Sequence, residues 1–445
     1  MTATRVILSA FIGLALATTL LAACTTLIAL APIEPPSKSS FDPAIVAKGA
    51  QLAAIGNCID CHTAAGGKPY AGGQPLKTPF GTIYGTNITP DPDTGIGQWS
   101  EAAFSRAMRE GVDREGRHLY PAFPYDHYTK LTDEDIKGLY AFIMTRDPIR
   151  AEMPPNELPF PFNNRSLIGG WKLLFFERGA FRPDPAQSAE WNRGAYLVQG
   201  LGHCGACHTP RNALGAEQKR HYLAGGDAQG WHAPALNAAS PAPVPWTAAQ
   251  LYKYLRTGLD DLHAIAAGPM EPVVHNLAAV PEQDVRTIAT YLAALMGQPT
   301  ADRQIKAEDA LAHAKREQAA YPLIDRSELQ IASGDRAFQN GAAIYAGSCS
   351  ECHDQGRQAS SGAALHLALG TAMTITTSAN LIRITLEGIV PPDNNPARWM
   401  PGFADALTDE QVKDLVIYIR AYFGREPPWR DVDEELKKAR TGRKR

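Results

Sequence analysis

The pattern that most restricts this chain is C-x-x-C-H, which occurs three times: CIDCH with Cys58, Cys61 and His62, CGACH with Cys204, Cys207 and His208, and CSECH with Cys349, Cys352 and His353. It is the attachment motif of c-type haem. Two thiols three positions apart lie along one helical turn and can add to the two vinyl groups of a porphyrin, while the adjacent histidine sets an imidazole under the iron as its proximal ligand. A redox dithiol or a zinc knuckle is the competing use of such a pair. Three copies, each ending in histidine and none accompanied by spare cysteines, favour three covalently bound haem c groups. The seventh cysteine, Cys24, stands apart.

The motifs are evenly spaced, with 208 − 62 = 146 and 353 − 208 = 145 residues between their histidines. A fixed period is the mark of internal duplication. Each repeat opens on a Gly-Ala segment running into its motif: KGAQLAAIGNCIDCHT, RGAYLVQGLGHCGACHTP and NGAAIYAGSCSECHDQ. Each closes on DEDIKGLYAFI, EQDVRTIATYL or DEQVKDLVIYI, with an aromatic at Phe142, Tyr291 or Tyr418. Apolar residues recur there at helical spacing, and the Thr and Asp residues just before them fit N-caps. An opening helix packed across a closing one is the cytochrome c arrangement. The expected fold is all-α, three tandem cytochrome c domains at 40–150, 185–300 and 329–425 after an N-terminal signal or anchor segment.

The sixth iron ligand should lie on the loop before each closing helix, and methionine is the usual donor because its thioether favours reduced iron. ARWMPGFADALTDEQ supplies Met400, 47 residues after His353, and AAGPMEPVVHNLAAVPEQ supplies Met270, 62 residues after His208. Methionine beside proline in a polar loop does not have core spacing. In LYPAFPYDHY, residues 119–128, the same distance from His62 falls on Phe123, which has no donor atom. His127, further along that loop, is the expected ligand of the first iron. The alternatives are Met108, on a helix and expected to pack, His118, expected to be exposed, and an open or water-bound iron. An open iron admits another class of function, a haem enzyme that binds a small ligand there. A bis-histidine haem would have a lower potential than its neighbours.

No charge separates Arg5 from Glu34, and the mostly apolar run between them is long enough to span a bilayer, for which about 20 residues suffice. Residues 1–34 are therefore expected to be a signal peptide or membrane anchor that places the rest at the periplasmic face of the inner membrane. Leu21-Ala22-Ala23-Cys24 is similar to the lipobox of bacterial lipoproteins, which makes Cys24 a candidate for lipidation. The apolar TTLIALAP beyond it suits an uncleaved anchor instead. Linker 151–184 carries GWKLLFF, read as a short helix against its own domain or as a patch for the membrane or a partner. Linker 301–328 reads as a helical spacer. The tail 426–445 ends with six basic residues in nine and reads as a solvated end or a lipid-headgroup contact. A net charge of −3 with 20% charged residues gives no reason to expect nucleic acid.

Residues 40–425 resemble the triple-haem cytochrome c subunits of membrane-bound periplasmic dehydrogenases in acetic acid bacteria and related proteobacteria. The resemblance rests on the three motifs at this period and on NITPDPDTGIGQWSEAAFSRAMREG, LYPAFPY, AEWNRGAYLVQGLGHCGACHTPRNALG and YLRTGLDDLHAIAAGPM. It implies an electron-transfer subunit that passes electrons from a partner dehydrogenase to ubiquinone, with no catalytic site for the organic substrate. One branch of the family serves alcohol dehydrogenases with pyrroloquinoline quinone and has LYPAMPY in the first loop. The other serves molybdopterin and iron–sulfur aldehyde, nicotinate or isoquinoline dehydrogenases. Phe123 and GWKLLFFERGAFRPDPAQSAEWNRGAYLV are closer to the molybdenum branch, which implies a large molybdopterin subunit and a small iron–sulfur subunit as partners. A freestanding soluble carrier is a further possibility.

Overall fold

The computed structural model describes residues 28–320, 336–353, 366–389, 400–424 and 426–443. The chain divides into two compact units, Met1–Ala186 with Ala195–His203, and Gln187–Gly194 with Cys204–Arg445. The first motif lies in the first unit, and the second and third lie in the other. Residues 1–27, including Cys24 and nearly all of the expected anchor, fall outside the described residues. Among the described residues no helix is long and apolar enough to cross a membrane.

In the first unit, α1 (Pro43–Ile55) starts where proline suits the first helical turn and Asp42 accepts from the Ala44 N–H. Asn57, at φ 49°, turns the chain into α2 (Cys58–Cys61). Strands β1 (Pro75–Thr78) and β2 (Gly81–Tyr84) form an antiparallel hairpin with Pro75 opposite Tyr84. Helix α3 (Glu101–Glu110) runs from a Ser100 cap to Gly111 at φ 62°. A short α4 (Tyr125–Tyr128) precedes α5 (Asp133–Met144), whose Thr132 cap accepts from the Asp135 N–H. Helix α6 (Leu167–Phe175) lies in the linker, and α7 (Ala189–Gln199) follows it.

The second unit continues with α8 (Gly205–His208) and the hairpin of β3 (Gly226–Ala228) and β4 (Trp231–Ala233). Gln229 and Gly230 both have positive φ, the two-residue turn that matches strand twist. Helix α9 (Ala248–Thr257), a hairpin of β5 (Leu259–Asp260) and β6 (Ala264–Ile265), α10 (Met270–Ala278) and α11 (Glu282–Met296) complete the second repeat. The linker forms α12 (Ala301–Ala320). The third repeat holds α13 (Arg336–Ser348), α14 (Ser350–His353), α15 (Ala379–Glu387), α16 (Asp409–Phe423) and α17 (Val432–Arg443).

One contact recurs in all three repeats. A Cβ built on Gly49 of α1 would stand 1.9 Å from the Gly138 carbonyl oxygen of α5 and 2.7 Å from Phe142 Cβ. On Gly194 of α7 it would stand 2.0 Å from the Thr287 carbonyl oxygen of α11 and 2.8 Å from Tyr291 Cβ. On Gly341 of α13 it would stand 2.1 Å from the Asp414 carbonyl oxygen of α16 and 2.6 Å from Tyr418 Cβ. Only glycine lets the two backbones meet there, and the aromatic beside it closes the gap. The residue before each glycine bonds a carboxylate on the closing helix: Lys48 to Asp135 at 2.7 Å, Arg193 to Asp284 at 2.9 Å, and Asn340 to Asp414 at 3.0 Å.

Three expectations need correction. The chain is mostly helical but not all-α, because each of the first two motifs is followed by a hairpin that serves it. The tail is not a loose end: α17 buries Leu436 and Ala439 in the core of the third repeat, and Arg440 donates to the Leu407 carbonyl at 2.7 Å. His118 is buried rather than exposed, because Lys172 of α6 reaches in beside it.

Candidate haem sites

The first site starts at α2, which brings Cys58 and Cys61 onto one turn with His62 at its end. The Nδ1–H of His62 donates to the Thr86 carbonyl at 2.6 Å, just past β2. The second motif repeats this bond, with His208 Nδ1 donating to the Pro234 carbonyl at 2.6 Å, just past β4. Both hairpins lie flush on their motifs. A Cβ on Gly85 would stand 1.8 Å from the Cys61 carbonyl oxygen, and one on Gly226 2.5 Å from that of Cys207.

Desolvation pushes the Cys58 and Cys204 thiols up to about 12. It pushes the His62 and His208 imidazoles down, partly offset by their carbonyl bonds. In these two motifs the carbonyl bond holds the proton on Nδ1 and leaves the Nε2 lone pair, the ligand form for iron. Thiol pair, neutral tautomer and orienting carbonyl together fit haem c, with Cys58, Cys61 and His62 holding one group and Cys204, Cys207 and His208 another. Cys349 packs against the third core, and His353 ends α14. The stretch that follows, 354–365, lies outside the described residues.

The segments expected to supply the sixth ligand differ between the repeats. Met270 is the first residue of α10 and half-buried. Gly268, at φ 54°, lets its turn lie against the indole of Trp231 on β4, where a Cβ would stand 2.3 Å from the ring. In the third repeat Met400 pairs with Ile389, exchanging N–H···O bonds of 2.9 and 3.0 Å. In the first, Phe123 packs edge-on to Tyr128 with centroids 5.3 Å apart. The Tyr128 phenol is raised by desolvation and then by the nearby Cys58 and Cys61 thiols, so the LYPAFPYDHY loop lies close to the first motif.

His127 on that loop is 4% exposed, and its Nδ1 meets the Gln199 carbonyl at 2.9 Å. This is the same ring-to-carbonyl bond that His62 and His208 make. Met108 packs inside α3 at 5% exposure. His118 meets Lys172 Nζ through Nδ1 at 3.1 Å, while its buried Nε2 has no hydrogen-bond partner among the described residues.

Lys172 itself is 9% exposed, donating to the Glu110 and Gly111 carbonyls at 2.6 and 2.7 Å where α3 ends. A cation suits a helix C-terminus. Burial lowers its pKa to about 8. Helix α6 is thus tucked against its own unit through Lys172, while Leu173 and Leu174 point outward at 77% and 72% exposure.

Sequence reasoning missed the Thr86 and Pro234 acceptors, which are backbone atoms. The one signal was an asparagine soon after each hairpin, Asn87 and Asn237, whose Oδ1 accepts from the backbone two residues on. It also missed the glycine contacts and Lys172.

Residues 46–147 match the family described as Cytochrome c, and residues 336–419 match that described as Cytochrome C oxidase, cbb3-type, subunit III. The chain is 46% identical over 415 residues to a nicotinate dehydrogenase subunit of Pseudomonas putida, covering 93% of this chain and 33% of that protein. It therefore spans about a third of that relative's length. It is 37% identical over 418 residues to the fructose dehydrogenase cytochrome subunit of Gluconobacter japonicus, covering 92% and 85% of the two chains. With the alcohol dehydrogenase (quinone) cytochrome c subunit of Gluconacetobacter polyoxogenes it shares 34% identity over 403 residues, 87% and 82% of the two chains.

Proposed function

This chain belongs to the dehydrogenase cytochrome c subunits, and from that premise we propose that it binds haem c at all three motifs and carries electrons from a partner dehydrogenase to membrane ubiquinone. The observation that carries the reading is the shared bond of His62 to Thr86 and of His208 to Pro234 beside paired cysteines. Haem c, when bound, supplies one-electron chemistry. The chain's part is to orient the histidines and set each iron's second ligand. Met270 and Met400 take that role in the second and third repeats, and His127 takes it in the first.

The partner is of the molybdopterin type with a small iron–sulfur subunit, and the complex works at the periplasmic face of the inner membrane. The higher identity to a nicotinate dehydrogenase subunit than to the alcohol dehydrogenase subunit supports this branch. Gentle solubilisation and identification of what co-purifies tests it. A molybdopterin subunit is expected; a quinoprotein with pyrroloquinoline quinone in its place would overturn the partner. A haem count of three per chain by the pyridine haemochrome assay is expected, and a lower count would overturn the three-site reading.

A further inference from the structure

We propose that Asn380 of the third repeat is a positioning residue for the second haem site, and that α15 joins that site to the one around Met400. The His232 N–H donates to Asn380 Oδ1 at 2.8 Å, and Asn380 Nδ2 donates to the His232 carbonyl at 2.9 Å. One amide thus engages both the donor and the acceptor of a single residue on β4. A single bond would leave the strand free to pivot, and two at opposite ends of one residue do not. One helical turn on, Arg383 Nε donates to the Gly230 carbonyl at 2.6 Å, in the turn that opens the same strand.

Two residues past His232 comes Pro234, whose carbonyl takes the His208 Nδ1–H. The third repeat therefore holds the strand that orients the proximal histidine of the second. The far end of α15 leads through Gly388, at φ 77°, to Ile389 and its paired Met400. Leu381, Ile382 and Leu386 are buried along its inner face, and Ser378 at its start donates to Asp431 at 2.9 Å. A short helix fixed at both ends thus spans the ligand segments of two sites.

The bond from a ligand histidine to a carbonyl makes the imidazole more basic, which favours oxidised iron. Releasing the strand weakens that bond, so the second haem becomes easier to reduce. Loss of such supporting contacts typically costs about 10–100-fold in metal affinity or activity. Asn380 acts one contact further out, and its loss is expected to move the reduction equilibrium by less than about tenfold.

The inference rests on the reading of His208 as a haem ligand. The test is a spectroelectrochemical titration of the full-length holoprotein, preceded by a haem count. The second haem's midpoint is identified as the one missing from a Cys204→Ser/Cys207→Ser chain. Asn380→Ala is expected to keep three haems and raise that midpoint while the first haem's stays in place. Asn380→Asp, which keeps the acceptor for His232 N–H and loses the donor, is expected to give a smaller rise. An unchanged second midpoint in both variants overturns the positioning role. If Asn380→Ala does not fold, Asn380→Asp decides, with a rise supporting the role and no rise overturning it. Fewer than three haems in the unaltered chain would instead overturn the three-site reading beneath it.

Discussion

The first and second repeats hold their motif histidines in the same way and share little in the segments expected to supply the opposite ligand. His62 and His208 each donate to a carbonyl just beyond a hairpin, at the same 2.6 Å. Later in the chain, one repeat carries Met270 at the head of a nine-residue helix, and the other carries Phe123 in a turn followed by a buried His127. The proximal half is tied to the glycine crossing through a few residues of rigid backbone. The segment with Met270, and the one with Phe123 and His127, take no part in that crossing.

The largest effect should come from what the repeats share. Gly49→Val or Gly194→Val forces a side chain into a backbone carbonyl, and either is expected to destabilise its own unit by about 3 kcal/mol or more. Thermal melting should show it, together with loss of one haem while the other unit keeps its own. Equal loss from both units would mean that the crossings are not independent.

Next comes a feature the second repeat lacks. Lys172→Met leaves the Glu110 and Gly111 carbonyls without their ammonium and should cost the first unit about 2 kcal/mol in a denaturant titration. The pH profile gives a sharper check. Lys172 titrates near 8 when folded, below the ordinary 10.5. Between those values the unfolded chain holds a proton that the folded one has released, so stability rises with pH across that window. Lys172→Met should flatten the rise, and a slope left unaltered would place the titration elsewhere.

The ligands themselves are a smaller matter for stability, with Phe123→Met expected to cost less than about 1.5 kcal/mol. It should make the first haem more like the second, raising its potential. His127→Ala should alter the spectrum of one haem only and open that iron to carbon monoxide in the reduced protein; three unaltered spectra would remove His127 from the site. The smallest effect is at a cap. Thr132→Ala should lose about 1 kcal/mol from α5 by melting. The second repeat has no counterpart to lose, since Pro281 gives α11 no side-chain cap.

Legibility in the sequence followed the same division. The motifs and the opening and closing helices could be read because side-chain identity carries them. The orienting carbonyls of Thr86 and Pro234 could not, since every residue has one and only the hairpins choose which. Gly49, Gly194 and Gly341 were visible as Gly-Ala pairs, but a helical glycine reads as a weak helix former until its neighbour's backbone is seen. A lysine in GWKLLFF reads as solvated, and its burial depended on the C-terminal end of α3 having carbonyls to offer. The basic tail misled for a related reason: its few apolar residues stand among many charges, yet Leu436 and Ala439 are buried in the third core, with Trp429 and Val432 packed against it.

The glycine crossing has a further consequence because the chain contains it three times. Each opening helix carries a glycine preceded by a polar side chain, and each closing helix answers with an acid and an aromatic ring. The first two sets are interchangeable in kind, each with a cation before the glycine and an acid three residues before the contacted carbonyl, so α1 could also close on α11 of its own or another copy; the third pairs Asn340 with an acid at the contacted residue itself. The charges at the first two crossings do not separate the right partner from the wrong one. Correct assembly therefore leans on order of synthesis and on the shorter chain between rightful partners, and slow refolding from denaturant should yield exchanged, concentration-dependent dimers that the newly made protein avoids.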